Sequence, residues 1–255
     1  MRFAHPTLIK LTGIAKTFAN GVAALGRFDL EVRDGEFLSL LGPSGCGKST
    51  VLRIMAGLTN PSEGQVEQAQ SAREQGSGAI GFVFQEPTLM PWATVADNVQ
   101  LPLKLKGITA GDRVHAALAQ VGLSAFAESY PRELSGGMKM RVSIARALVT
   151  DSMLLLMDEP FAALDEITRF RLNNDLLALW QSLGKTVVFV THSVFESVYL
   201  SQRVVVMTSR PGRVFSELPI DAPYPRDERF RTSAEYVALC RKVADLLESA
   251  MATAP

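Results

Sequence analysis

The chain has 255 residues, 47% of them hydrophobic, and its 26 Lys and Arg balance 26 Asp and Glu. That apolar content excludes a disordered chain, and formal neutrality without a basic block argues against non-specific nucleic-acid binding as the main activity. The length suits one large domain or two small ones, large enough to fold without disulfides, and the two cysteines, Cys46 and Cys240, point to a reducing, cytosolic setting.

In chain order, β-like segments at Thr7–Leu11 and Phe28–Val32 precede a buried strand, Glu36–Leu41, which runs into a Gly-rich loop and a helix over Thr50–Leu58. A Gly-containing linker leads to a strand at Ala79–Gln85. From Pro87 to about Val149 helical periodicity takes over; Val114, Leu118 and Val121 share one face and Gly122 supplies a stop. Strands return at Met153–Met157, Thr186–Thr191 and Arg203–Thr208, with a helix around Thr168–Leu183. Strands separated by helices imply a parallel sheet covered on both faces, with Pro87–Val149 as a helical insertion. The buried-strand runs Leu154–Met157 and Val187–Val190 are far below the ~18 consecutive apolar residues of a membrane span, which no stretch approaches, and no secretory signal is expected. A Pro-rich passage (Pro211, Pro219, Pro223, Pro225) then leads to a last helix. Thr232 and Glu235 are expected to form its capping box. Tyr236, Leu239, Cys240, Val243, Leu246, Leu247 and Ala250 form an apolar face that is expected to pack back on its own domain, with partner binding as the alternative.

Gly42, Pro43, Ser44, Gly45, Cys46, Gly47, Lys48, Ser49 and Thr50 fit the Gly-x4-Gly-Lys-Ser/Thr phosphate-binding pattern. Glycines let the backbone curl so that successive N–H groups face one anion-sized hollow, and the following helix aims its positive end at the same spot. Lys48 adds a charge for the β- and γ-phosphates, and the Ser49 hydroxyl can hold Mg²⁺. An apolar strand before the loop and a helix after it complete a nucleoside triphosphate site. A second pattern, Gly76-Ser-Gly78-Ala-Ile-Gly81, precedes a strand and opens no helix, so it reads as a turn and not a dinucleotide site. The acidic partner is expected at the end of Leu154–Met157. There Asp158 can orient Mg²⁺ or its water, and Glu159 can polarise a water for attack on the γ-phosphate. His5 and His115 have no metal-ligand companion. Cys46 has no catalytic role, but its place by a helix N-terminus would favour a thiolate, with nucleotide protecting it from alkylation.

Leu134-Ser135-Gly136-Gly137-Met138, followed by Lys-Met-Arg-Val-Ser-Ile-Ala-Arg-Ala-Leu148, resembles the signature motif of ATP-binding-cassette (ABC) ATPases. The resemblance implies a P-loop NTPase core of α/β class: a parallel sheet, an N-terminal antiparallel β portion and a helical insertion subdomain. It implies that Ser135, Gly136 and Gly137 bind the γ-phosphate held by a second copy, so that two cassettes form a head-to-tail homodimer. Gln85 matches the Q-loop glutamine that senses Mg²⁺ and the attacking water. Asp165, in Phe161-Ala-Ala-Leu-Asp165, matches the D-loop at the dimer interface. His192 matches the switch histidine, and Phe18 the aromatic that stacks on adenine. By the same resemblance ATP and Mg²⁺ are the cofactors, with Ser49, Gln85 and Asp158 around the metal, and Glu159, His192, Lys48 and Gln85 serve catalysis. The implied division is 1–86 and 150–225 for the nucleotide-binding core, 87–149 for the helical subdomain and 226–255 for a helical tail. Met138 and Met140 stand where many members carry Gln, and Phe18 where Tyr is more frequent.

A free-standing cassette without fused membrane helices is similar to those of importers. Phe84-Gln-Glu-Pro-Thr-Leu-Met-Pro-Trp92, Thr94-Val-Ala-Asp-Asn-Val99 and the tail from Arg210-Pro-Gly-Arg213 to Pro223-Tyr-Pro-Arg226 resemble the nitrate/sulfonate/taurine importer group. That resemblance implies transmembrane permease subunits as partners, a solute-binding protein as an indirect one, and a peripheral location on the cytoplasmic face of the bacterial inner membrane. Leu89, Met90 and Trp92 would be apolar anchors for a permease helix, with ordinary core packing as the alternative. The alternative is a soluble ABC ATPase acting as a switch on a cytosolic partner.

Overall fold

The structure is a computed structural model that describes residues 5–75 and 79–252. Its elements run β1 (Thr7–Thr17), β2 (Ala23–Arg33), β3 (Phe37–Leu41), α1 (Lys48–Met55), β4 (Glu63–Gln68) and α2 (Gln70–Gln75). Next come β5 (Ile80–Val83), α3 (Val95–Leu105), α4 (Arg113–Gln120), α5 (Gly136–Leu148), β6 (Leu154–Asp158) and α6 (Glu166–Leu183). The last part holds β7 (Thr186–Thr191), α7 (Val194–Leu200), β8 (Arg203–Met207), β9 (Val214–Pro219), α8 (Glu228–Arg231) and α9 (Ala234–Ala252). The chain divides into two compact units, one made of the segments up to Glu74 and from Thr186 onward, the other of Gln75–Lys185.

The first unit holds an antiparallel sheet in the order β2-β1-β4 and the strand run β7-β3-β8-β9. β3 pairs in parallel with both β7 and β8, while β9 closes the edge antiparallel to β8. Every residue of β3, β7 and β8 is buried, which is why these strands read as near-continuous apolar runs rather than alternating ones. β4 and β9 have no counterpart in the sequence reading. Glu63-Gly-Gln-Val-Glu-Gln68 carries one apolar side chain and gives no period-2 signal, and in the structure most of it is exposed.

The tail corrects one expectation. The cap of α9 is Ser233, whose Oγ accepts the Tyr236 N–H at 3.1 Å, and not Thr232. A short preceding helix, α8, has Thr232 as its C-cap, and that hydroxyl donates to the helix's own carbonyls, Glu228 and Arg229. Tyr236, Cys240, Val243 and Ala250 are buried against α7, β8 and β9, so the apolar face packs on its own unit. Burial pushes the Cys240 thiol up to about 11, leaving it unreactive at neutral pH. Arg226 anchors this tail. The residue is 4% exposed, and its guanidinium donates to the carbonyls of Val198, Tyr199 and Ser201 at 2.8–2.9 Å and to Ala222 at 3.1 Å. These include the last carbonyls of α7, which have no partner within the helix. Tyr224 and Phe230 lie against the same side chain, 4.1 and 5.4 Å from its centre.

In the second unit β5 and β6 run parallel. Helices α3, α4 and α5 pack around Val99, Leu103, Leu118, Val142 and Ala145. Val114 and Leu118 point inward as the period predicts, and Gly122, at φ +70°, follows the end of α4. Of the second glycine pattern, Gly76, Ser77 and Gly78 lie outside the described residues. Gly81 sits within β5, where a Cβ would stand 2.7 Å from the Ala147 carbonyl oxygen, so it is a packing glycine. No helix among the described residues is long and apolar enough to cross a membrane.

Replacing Arg226 with Met would leave several buried carbonyls unsatisfied, and a stability loss of about 3 kcal/mol is expected. Urea unfolding should show it as a lower midpoint with an unchanged slope.

Candidate active site

The phosphate loop leaves the buried strand β3 at Leu41 and enters α1 at Lys48. Gly47, the residue before the helix, has φ +103°, and a Cβ there would fall 2.7 Å from Leu25 Cδ2 and 2.8 Å from the Ala24 carbonyl oxygen. Only glycine fits both the backbone and the space. Gly45 is also left-handed, at φ +75°. Gly47 brings no side chain to the start of α1, and the first turn carries no acidic residue to oppose an anion there. Lys48, 4% exposed, folds back along the loop, its Nζ donating to the Gly42 and Pro43 carbonyls at 2.8 and 3.0 Å. Cys46 is 1% exposed, so the thiol expected to be open to reagents lies inside the loop.

His192 directly follows β7, and the register that pairs Leu41 with Thr191 sets His192 and Gly42 at the same end of neighbouring parallel strands. Phe18 lies in the β1–β2 turn, closed by its N–H to the Val22 carbonyl, with its ring 40% exposed and the Lys16 ammonium 5.3 Å from its centre. The first unit therefore holds the loop, the histidine and the aromatic.

The second unit holds the rest. Asp158 ends the fully buried β6 and is 8% exposed. Glu159 follows in a left-handed conformation, φ +46°, which costs a non-glycine residue roughly 1 kcal/mol and turns it out of the strand line. Register pairs Val83 with Met157, so Gln85, exposed just beyond β5, leaves from the same end of the sheet as Asp158. Carboxylates and amides at the carboxyl ends of parallel strands sit where α/β sheets place their ligand-binding groups.

Ser135 caps α5 by accepting the Met138 N–H at 3.3 Å. Gly136 and Gly137 open that helix against the start of α6. A Cβ on Gly137 would stand 2.9 Å from Thr168 Cγ2, and one on Gly136 3.3 Å from Leu164 Cδ2. Asp165 caps α6 through the Thr168 N–H at 2.9 Å, which holds its carboxyl below the usual range. The signature and D-loop segments are thus brought together, with Ser135, Gly136 and Asp165 exposed. Met140 is buried and Met138 packs on the helical core, which accounts for apolar residues at both positions.

The residue reading missed the supports. Asn98, fully buried, accepts the Met90 N–H at 2.7 Å and donates to Ala93 and Thr94 carbonyls, fixing the turn that leaves Trp92 76% exposed. Arg146 donates to the Pro87 and Thr88 carbonyls, holding the segment just after Gln85, and burial lowers its pKa. Leu89 packs on the helical core instead of standing free.

Residues 25–162 match the family profile described as "ABC transporter". The chain belongs to the ABC transporter family. It is 50% identical over 247 residues to an uncharacterized ABC transporter ATP-binding protein, MJ0412, of Methanocaldococcus jannaschii, covering 94% of this chain and 91% of that one. It is 40% identical over 243 residues to the aliphatic sulfonates import ATP-binding protein SsuB of Bacillus cereus, covering 94% and 96%. The ATP-binding cassette MJ0796, solved as a dimer in a post-hydrolysis state with ADP and Pi, superposes with a TM-score of 0.72 at 35% identity, over 85% of this chain and all of that one. CbiO1 of Clostridium perfringens, part of the transporter complex cbiONQ, gives 0.77 at 26% identity over 96% and 97%. As an ABC transporter cassette, the chain binds and hydrolyses ATP.

Buried Cys46 should be alkylated about a hundredfold more slowly in the folded cassette than in denaturant, because reaction requires the loop to open. The slow rate should hold with or without ATP; comparable labelling of folded and unfolded chains would contradict this placement.

Proposed function

We propose that this cassette is the ATP-hydrolysing subunit of an ABC importer that takes up a small anion of the nitrate, sulfonate or taurine type through a separate permease. The observation that carries this reading is 40% identity to an aliphatic sulfonate import subunit over 96% of that protein's length. The exposed Trp92, held outward by Asn98, supports it as an apolar anchor on the second unit for a permease helix. In this reading the cassette is peripheral to the cytoplasmic face of the bacterial inner membrane, and the solute-binding protein is an indirect partner.

The residue roles follow from chemistry and local geometry. Phe18 offers its exposed ring to adenine. The loop N–H groups from Gly45 to Thr50 and the Lys48 ammonium take the phosphates, since backbone dipoles and a full positive charge converge there. Ser49, Gln85 and Asp158 provide a hydroxyl, an amide and a carboxylate, an all-oxygen donor set that fits Mg²⁺. That ion, when bound, would neutralise phosphate charge. Glu159 orients water and accepts its proton, and His192 donates to the γ-phosphate. Ser135 and Gly137 cap the γ-phosphate of a second copy, so each cassette completes the other's site and Asp165 faces the joint. Residues 1–86 and 150–225 serve as the nucleotide-binding core, 87–149 as the signature-bearing subdomain and 226–255 as the tail.

Glu159→Gln should keep ATP affinity while hydrolysis falls about a hundredfold or more, the usual size of a general-base contribution. It should also accumulate as an ATP-bound dimer on size exclusion; hydrolysis at the wild-type rate would remove Glu159 as the base. For the solute, cells deleted for the gene should lose growth on an alkanesulfonate as sole sulfur source. The wild-type chain should restore it and Lys48→Ala should not. Unimpaired growth would count against the sulfonate assignment.

A further inference from the structure

The turn between β8 and β9, Thr208–Arg213, has no part in the roles assigned above, yet it reaches the phosphate loop. Arg210 lies on the surface, and both its Nε and its Nη2 donate to the Gly45 carbonyl, at 3.1 and 3.0 Å. At the other end of the same peptide unit, the Cys46 N–H donates to the Pro43 carbonyl at 3.3 Å. A planar peptide held at its carbonyl and at its N–H cannot rotate without losing both bonds. This peptide joins Gly45, at φ +75°, to the residue before Gly47, at φ +103°, so it lies between the two most permissive positions of the loop.

The turn that carries Arg210 is itself tied down. The Gly212 N–H donates to the Ala24 carbonyl at 3.0 Å, and the Gly26 N–H donates to the Gly212 carbonyl at 3.1 Å. Gly212 also lies directly on the loop: a Cβ there would be 1.9 Å from the Cys46 carbonyl oxygen. Ala24 and Leu25, from the same strand, are the groups that leave no room for a side chain on Gly47. The turn, the start of β2 and the phosphate loop therefore form one interlocked contact, in which Arg210 is the turn's charged link to the Gly45 carbonyl.

We propose that Arg210 is a positioning residue for nucleotide binding. It holds the Gly45–Cys46 peptide so that the loop already has its phosphate-receiving form before ATP arrives. A glycine-rich loop left free would have to be ordered by the nucleotide, and that entropy cost would appear as lost affinity. The effect belongs to binding and not to the chemical step, because Arg210 acts through the loop backbone. The inference rests on the assignment of Gly42–Thr50 to the phosphates.

The test compares ATP and ADP binding and steady-state hydrolysis by the full chain carrying Arg210→Ala, Arg210→Lys or Lys48→Ala. Removing a doubly donated charged hydrogen bond should raise both nucleotide Kd values and the KM for ATP about five- to tenfold. kcat should stay within about twofold, since no group at the reacting phosphate changes. Thermal midpoints should fall by no more than a few degrees, because the side chain is exposed. Arg210→Lys, whose ammonium can still donate to one carbonyl, should recover to within about threefold of wild type. Wild-type Kd and KM in Arg210→Ala, a loss confined to kcat, or Arg210→Lys no better than Ala would each overturn the proposal. Should Lys48→Ala bind ATP normally, the loop assignment itself fails and the proposal with it. Should Lys48→Ala alone be impaired, the assignment stands and the role of Arg210 falls.

Discussion

The phosphate loop can exist only because three backbone segments approach closer than side chains allow. Gly47 presses on Ala24 and Leu25, and Gly212 presses on Cys46. A methyl group at either position would have to displace backbone atoms in a tightly packed region. From this contact the rest follows: β3 delivers the chain to the loop, α1 carries its N–H groups onward, and β2 and the Thr208–Arg213 turn hold the outer wall. The packing of this region and the phosphate binding proposed for the loop therefore depend on the same residues.

Parallel pairing gives the second ordering principle. In the first unit it brings the loop and His192 to one strand end. In the second it does the same for Gln85, Asp158 and Glu159. The left-handed Glu159 and the capped starts of α5 and α6 are local departures from regular geometry. They coincide with the groups assigned to water activation and to the second copy's phosphate. Strained or glycine-only positions gathered around chemistry are expected where the backbone itself is a ligand.

Most of this was legible from residues. The buried strands announced themselves as short apolar runs, and the phosphate loop, the Asp158-Glu159 pair and the Ser135 cap were readable from residue type and spacing. What escaped has a common physical cause. β4 and β9 are sheet elements with weak apolar patterning, formed because a neighbour offers hydrogen bonds rather than because their own sequence demands it. The cap of α9 lies one residue beyond the predicted position because a neighbouring four-residue helix competes for Thr232. Arg146, Arg210 and Arg226 donate to backbone carbonyls far away in sequence, and such long-range pairings leave no local signal. Alone, a surface arginine in a Pro-Gly turn gives no indication that it braces a loop 165 positions earlier.

The central claim is that ATP turnover in this cassette drives a membrane permease. It is tested most directly by purifying the tagged full chain, as Glu159→Gln with ATP, from native membranes in mild detergent and identifying what accompanies it. The expected result is a multi-spanning permease in stoichiometric amount. Recovery of soluble partners alone, with the cassette dimer intact, would contradict the transport reading and favour a cytosolic switch.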